Sequence, residues 1–304
     1  RTIRGGQTLD VKLPDVSKVQ EIALSSKPLD VEVAFAKPIQ FDVSFDGDVT
    51  PTGLSGEMKK LDVIDNAKVS RIVDSCTSDT DLKATEAARI MFENGTDVYK
   101  ITNLLSAGLM GLERNRKVVP TRWAITATDD MLCSSYKSEV LKCPALPEYE
   151  VFCDTLHGNS MCFVLIPSND WRFEMVERWQ KKSLWADDEE TIIVDGEKGK
   201  TKREYSPIAG AYYAARLAVL EYLHSRKACA RVICIRDISG EYWAPLGVWI
   251  IREASHAALS KEPKRFGTLS EAVTAACTAL DTSFWVTKMG LLKDIRQQKT
   301  LFDF

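Results

Sequence analysis

The chain has 304 residues, is 45% hydrophobic and 27% charged, and carries a formal net charge of −3. That is enough apolar sequence for a sizeable core in one large domain or two, and no run approaches the roughly eighteen apolar residues of a membrane span. The near-neutral balance excludes a generic nucleic-acid coat, so any DNA contact must come from a local basic patch. The first residue is Arg1 rather than Met, and no basic-then-apolar leader opens the sequence. A fragment or processed product, cytoplasmic in location, is expected.

Residues 1–62 predict β structure with one helix. Thr8–Leu13, Leu29–Phe35 and Ile39–Phe45 alternate apolar and polar residues with the period of half-buried strands. Lys37-Pro38 joins the last two as a meander. Asp15–Ser26 reads as a helix with Val16, Val19, Ile22 and Ala23 on one face. From about 79 the period becomes helical, and Asp79–Glu93 stops at the C-terminal signal Asn94-Gly95. Asp97 is placed to cap the next helix.

A mixed part follows. Tyr149–Asp154 and Ser160–Ile166 predict a strand pair around His157-Gly158-Asn159, whereas Trp171–Trp179 fits either a strand or a short helix. The charged stretch Asp187–Arg203 reads as an exposed loop or flexible hairpin. Pro207–Arg226 predicts a helix, Arg231–Arg236 a short buried strand and Leu246–Leu259 another helix. Thr268-Leu-Ser-Glu271 is a capping box for a helix to Leu280, and a last helix is expected over Ser283–Leu292. The expected fold is mixed α/β (α+β): a β-rich part over 1–62, a mixed body over 63–292 and a flexible tail over 293–304.

Eight cysteines are scattered mostly through apolar runs without a C-x-x-C pair, and Cys153 and Cys162 flank the predicted hairpin turn. Reduced, buried thiols are expected, without zinc binding in these residues.

Residues 111–130 concentrate the polar function. Arg114, Arg116, Lys117 and Arg122 lie within nine residues beside Trp123 and Pro120. Guanidinium forks take phosphate oxygens and an indole stacks on a base, so this set is a candidate phosphate, nucleotide or nucleic-acid site. A solvated basic turn is the plainer alternative. Asp129 and Asp130 are expected after a short β-like stretch, at a helix start, as caps or as ligands for Mg²⁺ or Mn²⁺. Arg252 interrupts an apolar helix and joins the phosphate candidates, with buried ion pairing as its alternative. Phosphate-loop, dinucleotide, nucleophile-elbow and zincin signatures are absent, and the three histidines leave few candidate bases.

The C-terminus, Gln298-Lys-Thr-Leu301-Phe302-Asp-Phe304, has the spacing of a sliding-clamp-binding peptide. One short turn would bring Leu301 and Phe304 into a single apolar pocket, with Gln298 at its rim. The fuller pattern carries a second aromatic directly after the first; here Phe302 could substitute. A tail folded back onto its own core is the alternative.

With these segments read, Asp79–Ala84, Asp97–Ile101, Leu104–Gly108, Val119–Thr126, Gly210–Tyr222 and Glu241–Trp249 closely resemble the archaeal Nre family of DNA-repair proteins. The resemblance implies a role in repair of damaged DNA and recruitment by the sliding clamp (PCNA). It also implies a preceding region with a zinc-binding knuckle, which this sequence lacks. Two functions are carried forward. One is a clamp-recruited factor that binds nucleotide or nucleic acid, whose metal-dependent form would be a phosphoesterase or nuclease; the other is a non-enzymatic adaptor.

Overall fold

A turn between Leu156 and Asn159 shows how local sequence shapes the second half of the chain in the computed structural model. Here His157 and Gly158 take φ of 47° and 73°. The structure describes residues 16–38, 57–184, 186, 188–199, 202, 204–244 and 246–297, in two compact units, 1–132 and 133–304.

The first unit contains α1 (Val16–Leu24), β1 (Val31–Phe35), β2 (Met58–Val63), α2 (Arg71–Ser78), α3 (Ala84–Glu93) and α4 (Val98–Ser106). A 3-10 turn (Glu113–Asn115) then leads into α5 (Thr121–Val140), within which the two units divide. Val73, Cys76, Ala87, Ala88, Met91, Ile101 and Leu104 form its buried interior. Asp97 caps α4, accepting from Tyr99 N at 2.8 Å and Lys100 N at 2.9 Å, as its position indicated. β1 pairs antiparallel with β2, from Val31↔Val63 to Phe35↔Met58. The strands expected at Thr8–Leu13 and Ile39–Phe45 lie outside the described residues.

The second unit is a six-stranded sheet of order β6-β5-β7-β4-β3-β8. Its strands are β3 (Tyr149–Leu156), β4 (Asn159–Pro167), β5 (Arg172–Trp179), β6 (Thr191–Lys198), β7 (Ala230–Ile238) and β8 (Lys264–Phe266). β5 and β7 run parallel, and every other neighbouring pair is antiparallel. Between β6 and β7 comes α6 (Gly210–Ser225), and after β7 come α7 (Val248–Leu259), α8 (Leu269–Leu280) and α9 (Gly290–Gln297).

Alternate residues of the strands feed two buried layers. Val151, Val164, Val176, Ile233 and Ile235 pack with Ala272 and Ala276 of α8, Trp285, and Leu291 and Leu292 of α9. On the other face Phe152 meets Tyr222 edge-on at 5.0 Å and Phe173 meets Tyr212 at 5.1 Å, which seats α6 there with α7 beside it. The result is a mixed α/β fold with helices on both sheet faces.

Three expectations are corrected here. Of the two readings for 187–203, the exposed loop is overturned and the hairpin is what the fold shows, because all of β6 pairs antiparallel with the preceding β5 from Arg172↔Lys198 to Trp179↔Thr191. The last helix starts at Gly290 rather than Ser283. Its start is set by Glu174, whose carboxylate accepts from Gly290 N at 2.8 Å and Leu291 N at 2.6 Å. A carboxylate there meets unsatisfied N–H groups and the positive end of the helix. Finally, Cys153 and Cys162 are joined in a disulfide, not reduced. They are directly opposed across β3 and β4, with Cα atoms 4.1 Å apart, so the register of the hairpin brings them together.

Candidate functional site

The basic segment of the first unit is held firmly by its backbone. After α4, Gly108 has a φ of 73°, and a Cβ on it would lie 2.8 Å from Lys117 C. Only glycine lets the 117–118 backbone pass so close. Ser106 Oγ then donates to Val119 O at 2.8 Å, and Val119 N donates to Ser106 O at 3.0 Å. Pro120 precedes α5 and its carbonyl accepts from Trp123 N at 2.9 Å and Ala124 N at 3.1 Å. The segment from 117 to 121 is therefore fastened to the end of α4, and α5 begins where proline already favours helical entry.

Side chains on this segment divide into two kinds. Arg116 turns inward: its guanidinium donates to Thr77 O and Asp79 O, each at 2.7 Å, and to Gly111 O at 2.8 Å. A cation over the C-terminal carbonyls of α2 is where the helix dipole favours it. Arg114, Lys117, Arg122 and Trp123 are exposed, the indole by 40%. Arg122 and Trp123 sit in the first turn of α5. Three cations, an indole and a helix N-terminus on a fixed backbone can hold an anion such as a phosphate and stack on a base.

Asp129 and Asp130 lie inside α5, not at a helix start. Asp129 is buried and Asp130 exposed, as neighbours about 100° apart around a helix must diverge. Among the described residues no three His, Cys, Asp or Glu side chains gather in a way that could hold a metal ion. Arg252 belongs to the second unit, on α7, and is buried. Gln298, Leu301, Phe302 and Phe304 lie outside the described residues.

The second unit contains ionic networks that the sequence reading did not find as networks. Glu197 of β6 accepts from Lys137 Nζ at 3.0 Å, Trp171 Nε1 at 2.8 Å and Arg216 Nη1 at 2.5 Å. Burial pushes its carboxyl up, but Arg216, Lys137 and the indole more than offset this, and its pKa is lowered. Arg236 donates to Glu177 Oε2 at 2.5 Å and to Asn159 Oδ1 at 2.6 Å. Next to it in sequence but on the other sheet face, Asp237 accepts both arms of Arg178, at 2.8 and 2.6 Å. His224 faces Glu139 at 2.6 Å and His256 faces Glu221 at 3.1 Å, both at partly exposed helix positions. Burial lifts the Cys229 thiol to about 11, away from nucleophilic use.

The sequence profile described as "Archaeal Nre, N-terminal" matches residues 1–186, and that described as "Archaeal Nre, C-terminal" matches residues 197–304. The chain belongs to the archaeal Nre family. Among relatives of this Nre chain, the DNA repair protein NreA of Archaeoglobus fulgidus is 36% identical over 271 residues, covering 89% of this chain and 68% of the relative. DNA repair protein NreB of the same organism is 35% identical over 293 residues, covering 95% and 74%. The DNA repair protein NreA of Haloferax volcanii is 33% identical over 288 residues, covering 93% and 66%. The Nre chain thus spans about two thirds to three quarters of these relatives' length. No solved structure matches it at a significant level. Among its described residues no helix is long and apolar enough to cross a membrane.

Proposed function

We propose that this Nre chain is a DNA-repair factor that grips nucleic acid through Arg114, Lys117, Arg122 and Trp123 and is brought to DNA by the sliding clamp through residues 298–304. The reading is carried by one observation: these three cations and the indole are all exposed on a segment whose backbone is pinned by Ser106 and Arg116. Relatives named as DNA repair proteins support the setting. The spacing of Gln298, Leu301 and Phe304 supports the clamp as recruiter. In this reading Arg116 orients the segment and the other cations meet phosphate.

A fluorescent peptide covering Ile295–Phe304, titrated with an archaeal clamp, tests the recruitment half. Binding in the micromolar range is expected, together with loss of clamp binding and an unchanged melting temperature in the chain shortened by the last seven residues. Burying Leu301 and Phe304 is worth roughly 1.5–3 kcal/mol each, so replacing both with alanine should cost about two to four decades. A peptide that does not bind, or a large fall in melting temperature on deletion, would return the tail to its own core.

A further inference from the structure

A cleft between two helices of the first unit adjoins the basic segment. α1 is fastened to α4 at two places: Gln20 Nε2 donates to Ala107 O at 3.0 Å, and Lys100 Nζ donates to Ala23 O and Ser25 O. The cavity lined by both helices has a volume of about 520 Å³. Sites for small ligands span roughly 300–1,000 Å³.

The two walls differ in chemistry. α1 contributes Val19, Ile22 and Ala23, one stripe of the helix at i, i+3 and i+4. Each of the three is only half-buried, and no residue of α1 is fully buried. α4 contributes Tyr99, Asn103 and Ser106 at i, i+4 and i+7. Tyr99 is 41% exposed and Asn103 is exposed as well. An amide presents a donor and an acceptor side by side, the pair that matches the edge of a nucleobase. An apolar wall facing an amide and a phenol suits a flat ring with a polar edge.

The charged groups of the lining have defined places. Asp97 accepts from Tyr99 N and Lys100 N, and Lys100 caps the end of α1, which leaves the exposed Lys27 as the cation at the mouth. The cleft is also continuous with the basic segment. Val118 lines it and directly follows Lys117. Ser106, on the α4 wall, has its Oγ 3.4 Å from Thr121 Oγ, and Thr121 directly precedes Arg122. Lys117 and Arg122 therefore each adjoin a residue that lines the cleft or touches its wall.

We propose that the cleft between α1 and α4 takes an unpaired nucleobase of the strand whose phosphates lie on Lys117 and Arg122. The inference rests on the reading of the basic segment as a nucleic-acid grip, and it names what that grip presents: a base outside the stack, at a bulge, a mismatch or a single-stranded stretch.

The test measures fluorescence anisotropy of the full chain with three labelled duplexes of one sequence: fully paired, with a single bulged adenine, and with an abasic bulge. The adenine bulge should bind about tenfold more tightly than the other two. N103W, which plugs the cleft, and N103A, which removes the amide, should each reduce that preference while leaving affinity for the paired duplex and its salt slope unchanged. K117A/R122A should weaken all three duplexes. Unchanged far-ultraviolet spectra and melting temperatures check folding. Absence of binding to every duplex overturns the grip and this inference with it. Equal binding to the three duplexes, or a preference that survives both Asn103 variants, overturns the inference alone. Adenosine monophosphate that binds as tightly as the bulged duplex marks a free-nucleotide site and overturns it too.

Discussion

Arg216 donates from Nη1 to Glu197 Oε2 at 2.5 Å, and both side chains are 1% exposed. Glu197 also accepts from Lys137 Nζ at 3.0 Å, so one carboxylate compensates two buried cations. Breaking a buried pair from one side costs far more than the pair contributes, because the remaining charge cannot be rehydrated. E197Q is expected to lower stability by about 3–5 kcal/mol, read from the midpoint of urea unfolding with an unchanged slope.

The pH dependence has a definite sign. Glu197 has a folded-state pKa below its ordinary value of 4.5. Its contribution is therefore complete above that ordinary value and is lost as pH falls through the lowered one. The acid limb of stability should be shallower in E197Q than in the parent chain. An identical acid limb in the two proteins would count against the assignment.

Gly210 is the first residue of α6, and a methyl group on it would meet Val248 Cγ2 at 2.3 Å. Alanine is ordinarily the better helix former, so any penalty measures this contact alone. G210A is expected to cost about 1–3 kcal/mol. G210A in a V248A background should cost at least about 1 kcal/mol less, read from the two thermal or urea midpoints. Additive effects would mean that the two helix starts do not meet as described.

The basic segment should separate into stability and binding. R116A leaves the Thr77, Asp79 and Gly111 carbonyls without their donor and should cost about 1–3 kcal/mol. R114A, K117A and R122A should each stay within about 0.5 kcal/mol of the parent. Each of these three should lower the slope of log K against log salt for duplex DNA by about 1. A folded triple variant with an unchanged slope would favour the adaptor reading.

Short-range chemistry was legible in the sequence. Asp97 caps α4, Thr268 and Glu271 complete both halves of the capping box on α8, and the His157-Gly158 turn sets the β3–β4 hairpin. Each depends on residues within a few positions of one another, so the local pattern determines the outcome. The opposed places of Cys153 and Cys162 also follow from that turn, but their bond was not legible, since spacing alone does not state oxidation.

What tertiary structure decided were the partners of charges. Trp171–Trp179 could not be told from a helix because Glu174 and Glu177 interrupt its apolar pattern. The fold gives Glu174 the N-terminus of α9, 116 residues away from it at Gly290, and gives Glu177 the guanidinium of Arg236. The charged stretch that fits either an exposed loop or a hairpin is settled as β6 for the same reason, with Glu197 buried between Arg216 and Lys137. Arg116 and its neighbours look alike in sequence, but only the carbonyls at the end of α2 show which one turns inward. Caps, turns and the apolar period are set by near neighbours along the chain, whereas desolvation energies depend on partners far apart in it, so which charges could be buried was decided by the fold.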